Sequence, residues 1–370
     1  MIRMYRRVAG VGLALTMLVA GCGHSSSTSQ GPATSSTPVP SVATSSTRAA
    51  SATSQAARDL PDPHTLRGLT EVPELPDPKP VEGSSAQKLP VTVTDVEGNK
   101  VTIKSTSRIL ALDLYGTLSR TLIGLGLGDK IVGRTVSSTE KQLHDRPVVT
   151  ENGHVLNVEA VAGLKPSVII ADRSVGPKEA LDQLRKSGIP VVLVDPHRSV
   201  GFTPQLIRTI ADAVGKPDAG EALVKRTQEQ IDQAKKQIAA WKPAKPMRVA
   251  FLYVRGNAGV FFILGSENGA SELIQGVGAD DVASDKGITT LVPANAESLV
   301  SINPDAIFVM RDGLASTGGM KGLLARAGVA NTTAGRKQRV ISIPDGISLS
   351  FGPQTGEVLT AVAKALYGVK

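Results

Sequence analysis

The sequence predicts an α/β protein of two Rossmann-like lobes joined by one long helix. Three observations predict it. Strand and helix signals alternate in two separate stretches, as in parallel sheets built from βαβ units. One amphipathic run of about two dozen residues lies between them. A 17-residue segment of the first stretch recurs in the second.

The chain opens with a positive cluster, Arg3, Arg6 and Arg7, followed by an apolar run over residues 8–20. About 13 residues fall short of the ~20 that span a hydrocarbon core, so residues 1–21 read as a signal peptide. Leu18-Val19-Ala20-Gly21-Cys22 has the form of a lipobox, in which small residues admit a peptidase and the thiol receives lipid. Cys22 is the sole cysteine, which excludes an intramolecular disulfide and a cysteine-based metal cluster. Residues 22–88 are rich in Ser, Thr, Pro, Ala and Gly and are expected to form a disordered tether, because they hold too few large apolar side chains to offset the entropy of ordering.

The remainder divides into a first lobe at 89–205, connecting helices at 206–245 and a second lobe at 246–370. Apolar and polar residues alternate over 89–104 around Glu97-Gly98-Asn99, a hairpin pattern. Strands follow at 108–112, 131–132, 167–171 and 191–194, with helices at 117–127, 159–164 and 178–187. A helix is expected from Thr203-Pro204 to Gly215, capped by Thr203. The next starts at a capping-box pattern, Asp218 to Glu221, and carries Leu223, Thr227, Ile231, Ala234, Ile238 and Trp241 at helical spacing. Its 24 residues make about 36 Å. Pro243 and Pro246 end it. The rhythm then restarts, with strands at 248–254, 306–309 and 339–343 and helices at 270–276, 296–301, 320–327 and 354–366. A helical connector allows smaller hinge motions than strand crossovers.

A formal charge of +8 could suit nucleic acid, but the basic residues are spread along the chain and aromatics are only 3%, which disfavours a base-stacking platform. The excess fits an anionic membrane surface or an anionic ligand. There is no Gly-x-Ser-x-Gly elbow, no His-Glu-x-x-His and no P-loop, so an enzyme is not expected.

The repeat pairs Asn157-Val-Glu159, Pro166 and Arg173 with Asn295-Ala-Glu297, Pro304 and Arg311 at identical offsets. Local chemistry explains part of it: Asn caps a helix, an acid favours its first turn and Pro stops it. Taken with the hairpin opening, the single connecting helix and the two Pro-led strands, the repeat resembles the class III periplasmic-binding proteins for siderophores, cobalamin and haem. In that family one exposed glutamate per lobe docks on the permease of an ABC importer. The resemblance therefore implies docking roles for Glu159 and Glu297 and places the protein, through a lipidated Cys22, on the outer face of the cytoplasmic membrane. It implies an ABC permease and ATPase as partners, with haem-donating cell-surface proteins as possible suppliers.

Two segments narrow the resemblance to the haem-binding lipoproteins of actinobacterial uptake systems. They are Glu151-Asn-Gly-His154-Val-Leu-Asn-Val-Glu159 and Phe251-Leu-Tyr253-Val-Arg255-Gly256. The resemblance implies that His154 and Tyr253 are axial ligands of haem iron, one from each lobe, and that Arg255 contacts the tyrosine. The cargo would be haem b with ferric iron. Ferric iron is a hard acid and phenolate a hard donor, and a guanidinium nearby favours the phenolate. Tyr253 and Arg255, two apart at a strand end, share a face. His144 and His197 compete with His154. Arg134, Arg173, Arg198 and Arg311 are candidates for the propionates, and Val254, Val260, Phe261, Phe262 and Leu349 for apolar walls. The alternative is a ferric-siderophore or cobalamin-binding protein of the same family.

Overall fold

A computed structural model describes residues 60–82, 87–256 and 259–370. The signal peptide, Cys22 and the tether as far as residue 59 lie outside the described residues. Residues 60–82 and 87–88 of the expected tether are instead part of the fold. Strand β1 (Leu69–Glu71) pairs in parallel with the last strand of the second lobe. Val72 and Val81 are buried, Val72 among the second lobe's core and Val81 among the first lobe's. The segment between them is a strap. The Asp77 carboxylate accepts from the Lys141 and Gln142 backbone amides at 2.8 and 2.9 Å. Gln354 and Arg226 donate to the carbonyls of Pro76 and Lys79. Prolines at 73, 76, 78 and 80 suit an extended path that needs few backbone donors. The lobes are thus tied twice, where composition suggested one connector.

The first lobe opens with the expected hairpin, β2 (Val91–Thr94) and β3 (Lys100–Ile103). The buried Asp95 carboxylate closes its turn by accepting from the amides of Glu97 and Asn99. Strand β4 (Ile109–Leu112), helix α1 (Thr117–Gly124) and strand β5 (Ile131–Gly133) follow. A small hairpin, β6 (Thr150–Glu151) and β7 (Val155–Leu156), precedes α2 (Val158–Gly163). Then come β8 (Val168–Ala171), α3 (Lys178–Lys186) and β9 (Val191–Leu193). The sheet is parallel, in the order β5-β4-β8-β9. Its central strands read as unbroken apolar runs because both faces are covered. Ile109, Ala111, Val168 and Ile170 face one core; Leu110, Leu112, Ile169 and Ala171 face the other.

Helix α4 (Thr203–Ala213) and the long α5 (Pro217–Trp241) connect the lobes. Two caps differ from expectation. Phe202 occupies the cap of α4, with Thr203 inside the helix donating to the Ser199 carbonyl. Helix α5 starts on Pro217 without a side-chain cap, so Asp218 acts as a first-turn acid and not as a capping box.

The second lobe holds β10 (Arg248–Arg255), β11 (Val260–Ile263), α6 (Ala270–Gly276), β12 (Asp280–Asp281), β13 (Val292–Pro293), α7 (Ala296–Ile302) and β14 (Ala306–Met310). It ends with α8 (Arg311–Ser316), α9 (Gly319–Leu324), α10 (Thr333–Lys337), β15 (Val340–Ile343), α11 (Asp345–Ser348) and α12 (Thr355–Tyr367). The sheet order is β1-β15-β14-β10-β11-β13, with β12 also on β10. Strand β11 was not anticipated. It runs antiparallel to β10, pairing Tyr253 with Phe262 and Arg255 with Val260. The 17-residue repeat is a structural repeat: Asn157 and Asn295 both cap short helices, and Glu159 and Glu297 are exposed in their first turns.

The carboxyl ends of the two sheets meet. Arg120 on α1 donates to the Gly346 carbonyl at 3.2 Å and to Gln354 at 2.8 Å. The Val200 amide donates to Glu272 at 3.0 Å. Gly346 is packed so closely on Thr139 that a Cβ there would lie 1.9 Å from the threonine hydroxyl.

Candidate functional site

Open α/β sheets bind ligands outside the carboxyl ends of their strands, and both sets of ends face the junction of the lobes. In the second lobe, residues 249, 251 and 253 of β10 point to the core that holds Phe308, Ile341 and Ile343. Tyr253 is the half-buried last member of that face, and Arg255 continues it. Antiparallel pairing puts Phe262 beside Tyr253 and Val260 beside Arg255 on this face, all half-buried. Ile347, Leu349 and Phe351 belong to the cluster against which Tyr253 and Met310 pack. Of the expected apolar wall residues, Val254 and Phe261 turn to the opposite core and serve packing instead.

The Arg255 guanidinium carbon lies 5.1 Å from the Tyr253 ring centroid, a cation–π distance. Its Nη2 donates to Asp345 Oδ1 at 2.5 Å and to Met310 Sδ at 3.3 Å. Its Nη1 is buried with no partner among the described residues. Burial works against the cation, yet the Asp345 carboxylate and the Tyr253 phenol together raise its pKa.

His154 sits at the tip of the β6–β7 hairpin, in the connection that follows β5, and its side chain is exposed. Asn152 and Gly153 take φ of 48° and 89°, as the tight Asn-Gly turn demands. The His154 carbonyl accepts from Gly176, which ties the hairpin to the loop after β8. Among the four described histidines, His154 alone has a ring without a partner. His64 contacts the Lys245 carbonyl, His144 lies beside Asp145, and His197 contacts Ser199 and the edge of Phe202.

The first lobe contains a second tyrosine under an arginine, which sequence reasoning missed. Arg198 lies 5.2 Å from the centroid of Tyr115. Its Nη2 contacts Asp172 at 2.5 Å and Asp113 at 3.4 Å, all three side chains being almost fully buried. Burial pushes the Asp172 carboxyl up to about 6, against the pull of Arg198 and with the help of Asp113. Burial, Asp172 and Asp113 also raise the Tyr115 phenol. The two tyrosine sites share a geometry but differ in charge. Around Tyr253 one arginine faces one carboxylate; around Tyr115 one arginine faces two. The signal was available as an acid directly after each of two apolar strands.

Three of the four arginines considered for an anionic group are committed elsewhere. Arg198 is locked in its aspartate pair, Arg173 binds Glu97 and Asp182, and Arg311 binds Glu74. Among the described residues the Arg134 side chain makes two contacts of 3.4 Å, to the Thr135 and Ser138 carbonyls. A cavity of about 770 Å³ between the strap, α5 and α12 includes none of the candidate residues.

Residues 114–346 match the family model described as periplasmic binding protein. The crystal structure of the haem-binding protein HmuT superposes with a TM-score of 0.82 at 49% identity, covering 84% of this chain and 100% of that one. Structures of HmuT with a histidine, a tyrosine or an arginine replaced have also been solved, and the three lie at the same separations as His154, Tyr253 and Arg255. An uncharacterised ABC transporter substrate-binding lipoprotein of Bacillus subtilis, YvrC, is 27% identical over 280 residues, 75% of this chain and 86% of the relative. A cobalamin-binding protein of Halobacterium salinarum is 24% identical over 299 residues, 79% of this chain and 78% of the relative.

Proposed function

Because the chain belongs to the periplasmic binding protein family, whose members are substrate-binding transport proteins rather than enzymes, we propose that it captures haem outside the cytoplasmic membrane and delivers it to an ABC importer for iron acquisition. The observation that carries this reading is the phenol of Tyr253, half-buried under the Arg255 guanidinium at the carboxyl end of β10. A phenolate oxygen is a hard donor suited to ferric iron, and the guanidinium over the ring places positive charge beside it, so this tyrosine suits an iron ligand. His154 is the second axial ligand, supported by its unpartnered ring on the other lobe. The residues fit a porphyrin as cargo: an apolar floor with Ile347 and Leu349, Phe262 beside the tyrosine, and a buried guanidinium nitrogen still without a partner. The cargo is haem b in its ferric state. Glu159 and Glu297 dock on the two permease subunits, which suits a partner with twofold symmetry. Cys22 carries the lipid that holds the protein at the outer face of the membrane, where cell-surface haem proteins can supply it.

Visible absorption on adding haemin tests the ligands. The wild type is expected to give a Soret band and a phenolate-to-iron charge-transfer band. His154→Ala should shift the former, and Tyr253→Ala should abolish the latter. Unchanged spectra in both variants sink the assignment. The cobalamin-binding relative motivates a parallel titration with cobalamin, which brings its own metal ligands; tight binding there, insensitive to Tyr253→Ala, would favour a corrinoid cargo.

A further inference from the structure

We infer that Asp345 is a positioning residue that holds the Arg255 guanidinium over the Tyr253 ring. The inference rests on Tyr253 being an iron ligand, and it adds what fixes that ligand's partner. Both Asp345 oxygens are engaged. Oδ1 takes the Arg255 Nη2 proton at 2.5 Å, and Oδ2 accepts from the Asp312 backbone amide at 2.8 Å. Asp312 lies in the first turn of α8, directly after β14; Asp345 opens α11, two residues after β15; Arg255 ends β10. Three adjacent parallel strands therefore deliver the three parts to one corner.

The surrounding backbone is shaped for the guanidinium. At Gly313 a Cβ would stand 2.6 Å from Arg255 Nη1 and 2.5 Å from the Val254 carbonyl. A larger residue there would evict the arginine. The two arginines near this corner are engaged elsewhere: Arg311 with Glu74, and Arg326 with Thr317 and the Gly256 carbonyl. Asp345 is the acid that pairs with Arg255 in the structure. Arginine carries several rotatable bonds, and without an anchor the stacked rotamer is one of many. A carboxylate fixed by a helix amide selects it before any ligand arrives, so haem binding need not order it.

The experiment compares Asp345→Ala, Arg255→Ala and the double variant. Haem loss to a scavenging apoprotein and the charge-transfer band are recorded for each. Asp345→Ala is expected to speed haem loss about tenfold, a loss of about 1.4 kcal/mol, and to move the band. In the Arg255→Ala background the same substitution should change neither. In the crystal structure of the apo Asp345→Ala protein, the guanidinium carbon should lie beyond about 6 Å from the ring centroid. A guanidinium still stacked, or an equal change in the Arg255→Ala background, overturns the inference. Asp345→Glu guards against misfolding of the alanine variant. It keeps the charge and displaces the carboxylate by one methylene, and it should also speed haem loss; an unchanged rate counts against positioning. If Tyr253→Ala retains the band, the ligand reading fails instead, and the apo structure alone decides the role of Asp345.

Discussion

Replacing Arg198 with methionine should destabilise the protein strongly at neutral pH and far less in mild acid. Its side chain is 2% exposed, and the Asp113 and Asp172 side chains are 0% exposed. Methionine fills comparable space, so the loss is electrostatic. It strands two buried carboxylates and removes donors to Thr117 and to the Asp195 and His197 carbonyls. Removing one partner of a buried ion pair costs about 3–5 kcal/mol, and that range is expected at pH 7.5. Asp172 is already raised by burial to about 6, and Arg198 is the group holding it down. Without Arg198 its folded value climbs further above the unfolded value of about 3.9. An acid raised by folding is a burden above its folded pKa, and the burden is relieved as pH falls toward the unfolded value. The deficit relative to wild type should therefore shrink as pH is lowered from about 7.5 to 5. Urea unfolding followed by far-ultraviolet circular dichroism, with Trp241 fluorescence reporting on the second lobe, measures it. Adding Asp172→Asn to the methionine variant should restore part of the loss at pH 7.5. A deficit under about 1 kcal/mol, or one independent of pH, refutes the reasoning.

Two further outcomes are expected. Val72 is fully buried and its amide bonds to Ser342 at 2.8 Å, so Val72→Asp should detach the strap. It should cost about 3 kcal/mol or more by placing a charge in the core, and proteolysis within residues 73–82 should appear. Charge reversal of both exposed acids, Glu159→Lys with Glu297→Lys, should abolish haem uptake by cells while leaving haemin affinity within about twofold, since surface charges contribute little to folding; normal uptake would count against docking.

How far the sequence reached depended on the kind of signal. The parallel strands were legible because strands covered on both faces read as apolar runs, and the two Asn-capped helices because a cap and a first-turn acid leave a fixed pattern. The strap was not legible. Its prolines and polar residues resemble a tether, and what orders it is a register with β15 and a carboxylate reaching Lys141 and Gln142, both remote in sequence. Strand β11 was hidden because its apolar run, Val260 to Ile263, is unbroken, so no alternation marked it. At the site, Tyr253, Arg255 and His154 were named through the resemblance of their two segments to haem-binding lipoproteins. Asp345, Asp113 and Asp172 were not, because each matters through a partner that only folding brings near.

The two arginine-capped tyrosines make a last prediction that geometry alone would get wrong. The guanidinium distances, 5.1 Å at Tyr253 and 5.2 Å at Tyr115, are nearly equal. An argument from stacking would make either phenol an iron ligand. Charge separates them. The nearby side chains sum to zero around Tyr253, where the pair is Arg255 with Asp345. Around Tyr115 they sum to −1 when both aspartates are ionised. A phenolate there would be a second uncompensated buried anion, and burial with both aspartates raises the phenol's pKa accordingly. Tyr115 therefore remains a neutral phenol and a poor donor to ferric iron. Tyr115→Phe should leave the charge-transfer band of the haem-loaded protein in place, whereas Tyr253→Phe removes it. Loss of the band in Tyr115→Phe, with retention in Tyr253→Phe, would overturn this reading and move the iron to the first lobe.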